Sequence, residues 1–95
     1  MKSLELSKDE MRGIRISKKA VIDWVKLEMK AAREKHKKFN SWHEAHSVIL
    51  EEFEEFWESV KEDEPDLAEL VSVAAMSILA IAELAGQTDQ YGKRT

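Results

Sequence analysis

The chain contains no cysteine, which excludes disulfide bonds and thiolate metal sites and leaves the compartment open. Only one proline and three glycines interrupt its 95 residues. With Ala, Leu, Glu and Lys abundant, helix is favoured almost everywhere. Neither sign of charge is in large surplus. The net charge of −4 argues against a dedicated nucleic-acid binder, although local basic stripes remain compatible with it. Residues 1–16 lack the apolar core of a signal peptide, so a cytoplasmic location is expected. There is no Gly-rich phosphate loop, no Ser/His/Asp order and no nucleophilic thiol. A chain of this length forms one domain, and its core as a monomer would be modest.

The remaining pattern is helical, and residues 1–95 read as a single all-α domain. Ser7-Lys8-Asp9-Glu10 could cap a short turn that Gly13 ends. Ser17 is the N-cap expected for a first long helix over about 18–38, with Ile22, Val25, Met29, Ala32 and His36 on its apolar line. Ser41-Trp42-His43-Glu44 has capping-box form and starts a second helix over about 42–62. Phe39-Asn40 is then a tight connection between two antiparallel helices. Asp63-Glu64-Pro65-Asp66 breaks the chain, with Pro65 in the first turn of a third helix over about 66–85 that Gly86 ends.

Between Leu67 and Ala85 the clearly polar residues are Glu69, Ser72, Ser77 and Glu83. A helix apolar nearly all round is either buried or spans a membrane. Its uninterrupted apolar part falls short of the ~20 residues a bilayer requires, so burial is the reading and no membrane is expected. Two helices of one chain cannot cover such a cylinder. Association with further copies, as a homodimer or homotetramer, is expected to do so. The tail over 87–95 is polar and reads as loose.

Chemistry concentrates in Leu50-Glu51-Glu52-Phe53-Glu54-Glu55-Phe56-Trp57 and in Glu69. Glu52 and Glu55 lie about 60° apart on a helical wheel. Glu52 falls within the apolar arc Trp42, Ala45, Ile49, Phe53, Phe56, Val60, whereas Glu54, Glu58 and Glu62 point away. An ionised carboxylate on a core-facing stripe is costly unless a cation compensates it. Oxygen-only ligands suit a hard ion, Mg²⁺ or Mn²⁺, and Glu52, Glu55 and Glu69 supply that set if the third helix packs antiparallel to the second. The plainer reading is that these are helix-surface glutamates.

Lys26, Lys30, Arg33 and Lys37 form a basic line on the first helix. It is either a solvated face or a phosphate-binding stripe, in which Arg33 is best suited to bidentate contact. His43 and His46 lack a third ligand at zinc-site spacing, and His36 reads as a core histidine. Trp42 and Phe39 read as packing residues that could also stack a base. Glu83 lies on the stripe of Glu69 but about 20 Å along it, too far to share an ion. It is expected to meet another subunit or solvent.

Glu51-Glu52-Phe53-Glu54-Glu55, followed after thirteen residues by Glu69-Leu70-Val71-Ser72, resembles the E-x-x-E…E-x-x-D signature of the MazG-like all-α nucleoside triphosphate pyrophosphohydrolases. The likeness covers about residues 30–85. It implies a homo-oligomeric helical bundle that uses Mg²⁺ to split a nucleoside triphosphate into monophosphate and pyrophosphate. By position, Glu52, Glu55 and Glu69 would be metal ligands and Glu51 an auxiliary catalytic carboxylate beside Glu52. Arg33, Lys37 and Lys30 would meet the nucleotide's phosphates. Ser72 departs from the signature, which has aspartate there. A serine hydroxyl can ligate Mg²⁺ or hold a ligand water but brings no charge. The rival expectation is therefore a non-catalytic helical assembly or partner-binding module on the same fold.

Overall fold

The computed structural model describes residues 15–87. The cap expected at Ser7–Glu10, Gly13 and the tail beyond Gln87 lie outside them. The described residues form three helices and no strand: α1 (Lys18–Lys35), α2 (Trp42–Lys61) and α3 (Leu67–Leu84), then a short 3₁₀ turn (Ala85–Gln87).

Local capping explains each helix start. Ser17 Oγ accepts from the Ala20 N–H at 3.1 Å, and Ser41 Oγ accepts from the Glu44 N–H at 3.1 Å. Glu44 Oε1 reaches back to the Asn40 N–H at 2.8 Å, one residue earlier than in the usual capping box. Asp66 caps α3, its carboxylate accepting from the Ala68 and Glu69 N–H groups at 3.0 and 3.4 Å. This corrects the placement of Pro65. Asp66 is the better cap, so α3 begins after it and Pro65 stays outside the helix. Gly86 likewise sits within the 3₁₀ turn.

The α2–α3 turn is closed by a Schellman pattern. The Glu64 N–H donates to Ser59 O at 3.0 Å and the Asp63 N–H to Val60 O at 3.0 Å. Asp63 takes the left-handed position, with φ 59°, where glycine costs least. Ser59 Oγ then joins the two helices, donating to Phe56 O at 2.6 Å and accepting from the Asp66 N–H at 2.9 Å. Asp63→Gly is expected to stabilise the fold by up to ~1 kcal/mol and Asp63→Val to destabilise it by ~1–2 kcal/mol. Thermal melts check both, and a valine variant as stable as the parent would contradict this account of the turn.

α3 is the centre of the structure. Both α1 and α2 pack on it, and no Cα of α1 comes within 8 Å of one of α2. The first two helices are therefore not the closely paired hairpin that the sequence suggests. α2 runs antiparallel to α3: Ser59 meets Asp66 at one end, while Ala45 packs with Ala80 and Leu84 at the other. α1 runs parallel to α3, with Val25 against Val71, Ala75 and Met76. The fully buried set is small and includes three alanines, Ala45, Ala75 and Ala80. By length and mean hydropathy, 1.9, α3 could cross a bilayer. Within this fold, however, it lies between two helices and carries two inward-held glutamates.

Large apolar side chains remain on the outside: Ile22 on α1, although expected on its apolar line, Leu50, Phe53 and Trp57 on α2, and Leu70, Ile78 and Ile81 on α3. Phe53, expected in the core arc, is 50% exposed, because the α2 face that meets α3 is centred nearer Glu52 than that arc implies. His36 is also exposed rather than core. α1 ends at Lys35, not near residue 38, and His36 is already extended (φ −135°, ψ 150°). The departure lets the Phe39 N–H reach Glu83 Oε1 at 2.9 Å.

Candidate metal centre

The antiparallel packing of α2 and α3 sets the first turn of α3 beside the C-terminal half of α2. Glu52 and Glu55, three residues apart on α2, therefore meet Glu69 from α3. One carboxylate oxygen from each lies within 4.8 Å of the other two. Glu52 and Glu69 are half-buried and Glu55 is exposed, so the cluster has an inner wall and an open side. Glu54, Glu58 and Glu62 point to solvent as their wheel positions require.

The electrostatics of this group are unfavourable as they stand. Burial pushes the Glu69 carboxyl up to about 7, its contact with Glu52 pushes the same way, and Glu55 pulls it partly back. Glu69 sits in the first turn of α3, where the helix dipole favours a carboxylate, so desolvation and like charge outweigh that help. Glu55 is raised too, first by its hydrogen-bonding contact with Glu69 and then by repulsion from it. The same contact lowers one carboxyl and raises the other, as expected when the pair competes for one proton. Oε2 of Glu69 is buried and has no hydrogen-bond partner. Among the described residues no Lys or Arg forms an ion pair with Glu52, Glu55 or Glu69. The donor set, three carboxylates and a desolvated oxygen without a partner, fits a hard divalent cation.

Glu51 is exposed and lies one turn from Glu55, close enough to add to the repulsion on it. It is not part of the converging trio.

The basic line is not brought to this centre within the chain. Arg33 Nε and Nη2 donate to Glu83 Oε2 and Oε1 at 2.5 and 2.8 Å, and the guanidinium lies 5.1 Å from the Phe39 ring centroid. Glu83 is thus paired within the chain, correcting its expected contact with another subunit or solvent. Its carboxyl is held below the usual range by the Arg33 hydrogen bonds, against the opposing effect of burial. From Glu69 to Glu83 is fourteen residues along α3, roughly 21 Å. Arg33 therefore lies at the opposite end of α3 from the carboxylate cluster, paired with Glu83. Lys30 is exposed, Lys37 lies past the end of α1, and neither forms an ion pair among the described residues. Trp42 packs on Ala45, Ala80 and Leu84.

A residue that the sequence does not single out is Glu28. It is half-buried on α1, and its Oε1 accepts a hydrogen bond from Ser72 Oγ at 3.4 Å. Its position beside the inward residues Val25 and Ala32 is a faint signal on the wheel, visible only once α1 is known to face α3.

No family model, no curated protein and no solved structure matches this chain.

Proposed function

We propose that this protein is a divalent-cation-dependent nucleotide pyrophosphohydrolase that cleaves a nucleoside triphosphate to monophosphate and pyrophosphate. The observation that carries the reading is the convergence of Glu52, Glu55 and Glu69, with a buried oxygen of Glu69 left without a partner. The likeness to the MazG-like signature supports the choice of reaction, and a fold shared with many activities would not select it alone.

Glu52, Glu55 and Glu69 would hold Mg²⁺ or Mn²⁺, which when bound neutralises and polarises the phosphate chain. The residues of the chain supply the rest. Glu52 and Glu69, half-buried between two helices, would form the inner wall. Exposed Glu55 leaves one side open to substrate. Exposed Glu51 would accept the proton of a water whose oxygen attacks phosphorus as pyrophosphate departs. The exposed apolar side chains on α2 and α3 support assembly as a homodimer or homotetramer around this site.

The test is pyrophosphate release across a panel of ribo- and deoxyribonucleoside triphosphates with Mg²⁺. Light scattering on the same preparation gives its mass. Metal-dependent release that disappears in Glu52→Gln, from an oligomer, is the expected result. No release from any nucleotide, by an oligomer that binds no cation, would leave a helical assembly or partner-binding module.

A further inference from the structure

Glu28 is the one acidic side chain of α1 that turns to α3 and bonds to it. It is half-buried, and no Lys or Arg among the described residues pairs with it. A desolvated carboxylate with no cation carries a cost that its single hydrogen bond covers poorly. That bond, at 3.4 Å, is long for a hydroxyl donating to a carboxylate. Its direction is the informative part. Ser72 Oγ donates its hydrogen bond to Glu28, so the lone pairs of the hydroxyl are free for another partner. Ser72 follows Glu69 by three residues and shares its face of α3.

We propose that Glu28 is a positioning residue for the cation site: it accepts the Ser72 hydroxyl hydrogen bond, turns the hydroxyl oxygen toward the ion and makes it a better neutral ligand. The arrangement parallels a carboxylate that orients a metal-binding histidine through the far nitrogen of the ring. A third helix thereby joins the centre, and a negative charge on α1 offsets the ion at one remove. This inference rests on reading Glu52, Glu55 and Glu69 as a cation site.

The experiment is calorimetric titration of Mg²⁺ alone into the full chain, with melting curves of each apo protein recorded alongside. Glu28→Gln keeps the shape and removes the charge, and Ser72→Ala removes the hydroxyl. Each is expected to weaken Mg²⁺ binding about tenfold or more. The double variant should be no worse than the weaker single one, because the two residues act as a unit. Ser72→Asp placed on Glu28→Gln should restore binding by returning a carboxylate to the centre. Parent-like affinity in Glu28→Gln, with Mg²⁺ bound normally by the parent, would overturn the role of Glu28 and leave the cation site standing. Additive losses in the double variant would overturn the route through Ser72. No binding by the parent would remove the cation site itself, and the inference with it.

Discussion

Arg33→Ala is expected to lower the melting temperature by more than about 10 °C. The Arg33 and Glu83 side chains are only 20% and 8% exposed, and the contact is bidentate. Removing one partner of such a pair leaves a buried, uncompensated charge, at a typical cost of ~3–5 kcal/mol. For a domain of this size each kcal/mol shifts the midpoint by roughly 4–8 °C. The loss is compounded because Glu83 also accepts from the Phe39 N–H and so anchors the α1–α2 connection. Lys19→Ala is the control: its pair with Asp23 is exposed, at 87% and 52%, and is expected to contribute under ~0.5 kcal/mol. The pH dependence follows the sign of the Glu83 shift. Its folded-state pKa is depressed, so its contribution is present above the unfolded value of 4.5 and is lost as pH falls through the lower folded value. Thermal melts of the parent and both variants check this. Equal, small shifts for Arg33→Ala and Lys19→Ala would show that the pair does not hold the helices together.

Mg²⁺ is expected to raise the melting temperature by about 10 °C or more when present at a hundred times its dissociation constant. A ligand that binds only the native state at that concentration contributes ~2.7 kcal/mol. Without the ion the trend with pH runs the other way from that of Glu83. The Glu69 pKa is raised from 4.5 to about 7 on folding, so the proton is bound more tightly by the folded chain. The stability it provides is complete below the unfolded value and is lost as pH rises through about 7. The apo protein should therefore weaken between pH 5 and pH 8, over the window in which Mg²⁺ binding strengthens as the competing proton leaves. Glu52→Gln should abolish the Mg²⁺-induced gain and leave apo stability unchanged or higher, because a half-buried charge is removed from a repelling trio. Glu58→Gln, exposed on the same helix, should do neither. If calorimetry detected neither Mg²⁺ nor Mn²⁺ binding, with or without nucleotide, the enzymatic reading would be withdrawn.

The features legible in the sequence are those decided within one helical turn. Ser17 and Ser41 cap helices because a side-chain oxygen three residues before an unpaired N–H needs nothing from the rest of the molecule. The inward tilt of Glu52, and the outward one of Glu54, Glu58 and Glu62, follow from helical period alone. Scarcity of proline and glycine, with three long periodic segments, is enough for an all-helical chain.

Tertiary packing decided the rest, because period specifies a stripe on each helix but not which stripe meets which. α1 ends early since the Phe39 N–H and the Arg33 guanidinium share one carboxylate at sequence separations of 44 and 50 residues. Phe53 and Trp57 are exposed because the α2 face that meets α3 is centred on Glu52, leaving them outside the contact. Glu28 and Ser72 are likewise 44 residues apart, and nothing local marks either as a partner of the other. The carboxylate cluster lies between the two cases: its residue types and the i, i+3 spacing of Glu52 and Glu55 are written along the chain. Only the antiparallel seating of α3 on α2 brings Glu69 within 4.8 Å and buries its Oε2, which is what turns three glutamates into a candidate centre.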